Sequence, residues 1–152
     1  MSLRNGVIKA GTIVWKKVTL YRPLENVKGI ITEGWRNGEV FNADTCYCWT
    51  SVGTSIAKLI VLEDGVIPTI HRRGTKLNNS WEGGHRKCRV PKAYVVEVEG
   101  LIDGNRACGR NWLNYPVGSI VTPNSYNNDP KCICTNGIHV FLTRTEAEVY
   151  PL

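Results

Sequence analysis

Asn136-Gly137-Ile138-His139-Val140-Phe141-Leu142-Thr143-Arg144-Thr145-Glu146-Ala147-Glu148-Val149-Tyr150-Pro151 reads as a turn, a strand and a helix in succession. Asn136-Gly137 is a strong turn dipeptide, because glycine accepts a positive φ without steric cost and asparagine tolerates one. From Ile138 to Leu142 the chain alternates: Ile138, Val140 and Leu142 point one way, His139 and Phe141 the other. Thr143 and Glu146 then stand in capping-box spacing. The hydroxyl accepts from the Glu146 N–H and the carboxylate reaches back to the Thr143 N–H. Such a cap contributes roughly 1 kcal/mol. Ala147 and Tyr150 give the helix its less polar side, and Pro151 closes it.

Upstream, helical periodicity is rare and short alternating runs bounded by Gly, Asn and Pro recur, which predicts a mostly β chain. Val14 to Tyr21 alternates with large apolar groups in both series, so it is expected to be covered on both faces. Val27 to Thr32, Glu39 to Phe41 and Cys46 to Thr50 are further strand candidates. Ile56 to Leu62 reads as a buried strand, followed across an Asp64-Gly65 hairpin turn by Val66-Ile67-Pro68. Ala93 to Glu99 is the clearest strand, with Tyr94, Val96 and Val98 on one face. Val117 to Thr122 is another, and Ser125 to Pro130 is a loop. The stretch from His71 to Pro91 shows no persuasive period. The fold expected is α+β: mainly antiparallel β-sheet with a short C-terminal helix, in a single domain over residues 1–152.

At 152 residues the chain can bury a sizeable core without staples. No apolar run approaches a bilayer span and the first residues carry no hydrophobic signal, so a cytoplasmic protein with no membrane partner is expected. Six cysteines in that compartment read as thiols.

The charge is concentrated. Between His71 and Lys92 stand Arg72, Arg73, Lys76, Arg86, Lys87, Arg89 and Lys92 against Glu82 alone, an excess equal to the whole net charge of +6. Trp81, His71 and His85 can stack on a base, and the glycines between them allow close backbone approach. Arginine forks hold phosphate oxygens, each charge-assisted bond contributing on the order of 1.5–3 kcal/mol. The bland alternative is a solvated basic loop.

Cys46-x-Cys48 and Cys132-x-Cys134 offer four thiolates for zinc, but thiols two apart on a strand do not converge on an ion as a Cys-x-x-Cys knuckle does. Small buried hydrophobes are the preferred reading, and no metal or cofactor is expected. Cys134 and His139 stand five apart across the turn and are the candidates for a nucleophile and base. No acid is placed to orient the imidazole, and a structural His139 bonding the backbone is preferred. Walker, zincin and nucleophile-elbow patterns are missing from the sequence.

Several pieces in order carry a resemblance: Trp15-Lys16-Lys17, Ala57-Lys58-Leu59-Ile60, Ile67-Pro68, Arg86-Lys87-Cys88-Arg89, Lys92-Ala93-Tyr94-Val95-Val96, Tyr115-Pro116-Val117-Gly118, Cys134, and Gly137 to Arg144 followed by Glu146-Ala147-Glu148. The order resembles an uncharacterised small domain family found in phages and large DNA viruses and attached to pentapeptide-repeat proteins. The resemblance implies a phage or viral origin but supplies no reaction, ligand or catalytic residue. It departs at Thr19 to Ser55, residues 19–55, an insertion where the family's pattern passes almost directly between two strands.

The function expected is that of a phage or viral accessory protein binding a phosphate-bearing ligand, a nucleotide or nucleotide signal, to counter host defence. Its ligand-binding set is Arg72, Arg73, Lys76, Trp81, His85, Arg86, Lys87, Arg89 and Arg144, the basic stretch folding against the His139 and Arg144 end of the chain. The alternatives are a nucleotide-processing enzyme using His139, and a module acting on a host protein through the insert. Nucleic acid stands as a second anionic partner, and self-association is left open.

Overall fold

The structure is a computed structural model and describes residues 6–23, 33–36, 39–42, 49–69, 86–132 and 134–151. Along these residues run β1 (Val7–Ile8), β2 (Ile13–Pro23), β3 (Glu33–Arg36), β4 (Glu39–Asn42), β5 (Trp49–Val61), β6 (Gly65–Val66), β7 (Cys88–Val90), β8 (Ala93–Val98), β9 (Arg106–Cys108), β10 (Ile120–Val121), β11 (Ile138–Val140) and the helix α1 (Arg144–Val149). Every pairing is antiparallel. One sheet has the order β10-β8-β5-β2-β9, a second β1-β6-β7-β11, and β3 with β4 forms a separate hairpin. Among the described residues no helix is long and apolar enough to cross a membrane.

The two larger sheets close over one apolar core. Val14, Val18, Leu59, Val61 and Val95 from the first sheet meet Ile8, Val90, Ile138 and Val140 from the second. Each such side chain contributes roughly 1.5–3 kcal/mol by leaving water, so these contacts outweigh any single cap or surface ion pair. The sheets are also joined through the backbone. Trp15 donates to Phe141 O at 2.9 Å and accepts from Phe141 N at 2.7 Å, so the end of β11 becomes an edge partner of β2.

β2 is covered on both faces, as its alternation implies. Val14 and Val18 lie in the core at 0% exposure. Trp15, on the opposite face, packs with Ile56, Phe141, Ala147 and Tyr150 under α1. Thr143 is the N-cap, its hydroxyl oxygen accepting from Glu146 N at 3.2 Å. The Glu146 carboxylate bonds the Thr143 hydroxyl at 2.8 Å rather than the Thr143 N–H. At the other end Lys17 Nζ donates to the carbonyls of Glu148 (3.1 Å) and Tyr150 (2.9 Å), placing a cation where the helix dipole is negative. Arg144 lies over the Trp15 ring and pairs with Glu99 and Glu148, clamping the helix to the sheet.

Several expectations need correction. The buried residues of β8 are Ala93, Val95 and Val98, with Tyr94 exposed. The register shifts where Lys58 faces Glu97 and Leu59 faces Val95, so Val96 is an extra residue that reverses the alternation. Asp64-Gly65 does not form a β5–β6 hairpin. β6 leaves for the other sheet and pairs with β1 and β7, while Asp64 Oδ1 accepts from Ala10 N at 2.8 Å. Within the unpatterned stretch, Cys88–Val90 is a fully buried strand, and Val117-Gly118 is a turn with only Ile120–Val121 extended. Val27 to Thr32 and Cys46 to Cys48 lie outside the described residues. Residues 19–55 contain the outer halves of β2 and β5, which continue one ladder, and the β3–β4 hairpin.

Gly65 lets β6 touch β7. A Cβ there would stand 2.5 Å from Arg89 O and 2.6 Å from Val90 Cγ1. Gly65→Ala should therefore lose about 1–3 kcal/mol in urea denaturation, as overpacked sites do. An unchanged midpoint would contradict the close approach.

Candidate functional site

The edge of β2 away from β5 has two partners with a break between them. Phe141 bonds Trp15, and β9 begins opposite Thr19. Backbone groups on that edge alternate, so those of Lys17 point into the break. A cavity of about 580 Å³ opens there. Lys16 and Lys17 form one wall, Arg110, Asn111 and Tyr115 a second, and residues 123–125, 134–137, His139, Phe141 and Tyr150 the rest. Among the described residues four cationic side chains and no carboxylate line it: Lys16, Lys17, Lys87 and Arg110.

Lys16 belongs to the inward series of β2, between Val14 and Val18. Its ammonium donates to His139 O at 3.0 Å and lies 5.5 Å from the Tyr115 ring centre. Burial, and secondarily the charge of Lys87, lower its pKa from 10.5 to about 8. Lys87, at 4% exposure, reaches Cys134 Sγ at 2.8 Å and Tyr150 Oη at 3.3 Å. Tyr115, buried at 1%, is held protonated by desolvation.

The loop forming the far wall is fixed by Arg89, whose side chain is 0% exposed. Its Nε donates to Asn127 O (3.0 Å), Nη1 to Cys132 O (2.6 Å) and Nη2 to Asp129 O (2.7 Å). Arg89 faces His139 across the β7–β11 ladder, so the strand pairing sets where the guanidinium enters the loop. Asn127 closes the loop on itself, donating from N to Asn136 O at 2.9 Å and from Nδ2 to Thr135 Oγ1 at 3.1 Å. Gly137, at φ 146, gives the turn room against Tyr126 and Arg89; a Cβ would meet them at 3.0 and 3.2 Å.

His139 Nε2 lies 2.6 Å from Thr135 O. Since a carbonyl only accepts, Nε2 carries the proton. Burial, with the charges of Lys16, Lys87 and Arg89, lowers the ring's pKa to about 4 against the opposing pull of that carbonyl. The ring is therefore neutral near pH 7. Cys134 is exposed and bonded to Lys87; Cys132 is half-buried. Cys88 and Cys108 are buried, and desolvation pushes the Cys88 thiol up to about 12, as befits packing atoms rather than nucleophiles. No group of three or more metal-ligating side chains occurs among the described residues.

Of the basic stretch, Lys87 reaches the cavity, Arg86 is exposed with φ 50 and does not line it, and Arg89 works inside the loop. Arg72, Arg73, Lys76, Trp81 and His85 lie outside the described residues, as do Cys46 and Cys48. Arg144, the first residue of α1, lies over the Trp15 ring and does not line the cavity. Lys16, Lys17, Arg110 and Tyr115 were not among the sequence candidates. Lys16 was legible as a lysine inside an inward apolar series; Arg110 carries no local signal.

Two outcomes test this geometry. Arg89→Lys should destabilise by about 3–5 kcal/mol in chemical denaturation, because one ammonium cannot span three carbonyls and leaves buried acceptors unmet. Equal stability would place the loop's anchor elsewhere. The depressed His139 pKa gives the second. The unfolded chain takes up the proton at 6.5 and the folded chain at about 4, so the contribution is full above 6.5 and is lost as pH falls through about 4. Denaturation of His139→Gln should show a flatter pH dependence than the parent across that window, the difference being on the order of a few kcal/mol.

No curated protein and no solved structure matches the chain. A family of unknown function, DUF5758, matches residues 9–147, which takes in the cavity's cations, β11 and the first part of α1. The chain belongs to that family.

Proposed function

We propose that the protein binds a phosphate-bearing small molecule, of nucleotide class, in the cavity at the break in β2. The observation that supports it most is the lining: among the described residues, four cations and no carboxylate around about 580 Å³, a volume within the range of small-ligand sites. Burial, and secondarily the charge of Lys87, disfavour the Lys16 ammonium, and an anionic group bound beside the two lysines offsets both effects. The family resemblance suggests a phage or viral origin, and in that setting a small accessory protein that sequesters a nucleotide signal would blunt a host defence. Binding is favoured over turnover because burial lowers the His139 pKa to about 4, which leaves the ring a weak base for proton transfer near pH 7.

Pyrophosphate and a panel of linear and cyclic nucleotides should raise the Tm, and calorimetry should locate the binding. Lys16→Met and Lys87→Met should each weaken it about tenfold to a hundredfold, the loss of one charge-assisted bond. Affinity should fall as pH rises through about 8, where the free protein's Lys16 loses its proton. A panel with no shift at any pH would end the proposal. Recovery of the ligand unchanged on denaturation separates a binder from an enzyme.

A further inference from the structure

Next to the cavity, on the face of the first sheet that carries Lys17, lies a row of aromatic and arginine side chains that the cavity does not use. Tyr21 stands opposite Arg106 on β9 and Ser51 on β5. Trp49 shares that face, two residues from Ser51. The Trp112 ring sits 5.2 Å from the Tyr21 ring at 37°, and the Arg106 guanidinium lies 4.3 Å from the centre of Trp49. Trp112 is 68% exposed, an unusual place for the largest apolar side chain. It is also held at φ 66, a left-handed conformation that costs a non-glycine residue on the order of 1 kcal/mol. The hydrogen bonds Trp112 N to Gly109 O (3.0 Å) and Gly109 N to Leu113 O (2.9 Å) enforce it. The same short loop sends Arg110 and Asn111 into the cavity, so one rigid turn aims cations inward and a flat ring outward.

We infer that the same site also takes single-stranded nucleic acid, with phosphates in the basic cavity and bases stacked along Trp112 and Trp49. This rests on the anion-binding reading of the cavity and extends it. Two separate ring stations argue for more than one base, which a mononucleotide does not have. Stacking on side chains requires bases that are not already stacked in a duplex, and a cationic groove beside aromatic platforms is the arrangement that single strands fill. Lys17 and Tyr21 are four residues apart on one extended strand, about 13 Å, which makes cavity and platform one continuous track.

The test is fluorescence anisotropy of the full chain with labelled oligo-dT and oligo-U of about 12 nucleotides, with pyrophosphate binding followed in parallel by calorimetry. The single strands should bind, a duplex of the same sequence should not compete, and log affinity should fall with log salt at a slope of about −2 for three contacted phosphates. Trp112→Ala and Trp49→Ala should each weaken oligonucleotide binding roughly tenfold or more while pyrophosphate affinity is unchanged, and Trp112→Phe should restore most of the loss. If pyrophosphate binds and the oligonucleotides do not, or if they bind equally well without Trp112, the inference is overturned while the cavity reading stands. If neither binds, both fall.

Discussion

A single buried guanidinium holds the site in shape. The fork of Arg89 donates to the carbonyls of Asn127, Asp129 and Cys132. Taking an arginine out of water costs several kcal/mol even after relaxation, so those acceptors cannot be optional. The bonds run both ways: the charge is tolerated because the loop wraps it, and an irregular loop keeps one conformation because the charge sits at its centre. The described part of this wall, residues 124–132 and 134–137, is thus held in place without a helix or strand.

That rigidity gives the electrostatics their meaning. Lys16 and Lys87 are carried into the interior by two different sheets, one through an inward position of β2, the other just ahead of β7. Their partners among the described residues include a carbonyl, a thiol, a phenol and ring faces. Neutral acceptors of this kind orient an ammonium without cancelling its charge. An anion arriving there meets a field already built, and little reorganisation is needed.

The sequence made the C-terminal unit legible because its signals are local: the Asn-Gly turn, the alternation through β11 and the Thr143–Glu146 cap act within a few residues. The double covering of β2 was also readable, since both of its series hold large apolar groups. Three things were hidden by longer-range causes. The extra residue at Val96 depends on the partner strand's register, not on β8 itself. The departure of β6 to the second sheet depends on contacts with β1 and β7. The basic stretch was readable as charge, but burial divides its members: Lys87 faces the cavity, while Arg89, two residues on, is consumed by the loop. Lys16 and Arg110 meet only because β9 takes up the β2 edge where Phe141 lets go.

The Trp15–Phe141 bridge has a temporal side. It joins residues near opposite ends of the described chain, a contact of very long sequence separation, and such contacts form late in folding. Synthesis proceeds from the N-terminus, so the lysines of β2 exist long before the strand that completes the edge beside them. A nascent or truncated chain carries the charges without the enclosure. The pocket thereby depends on how far synthesis has gone: only a molecule that has read through residue 141 can present its cations as a shaped site rather than as loose positive charge.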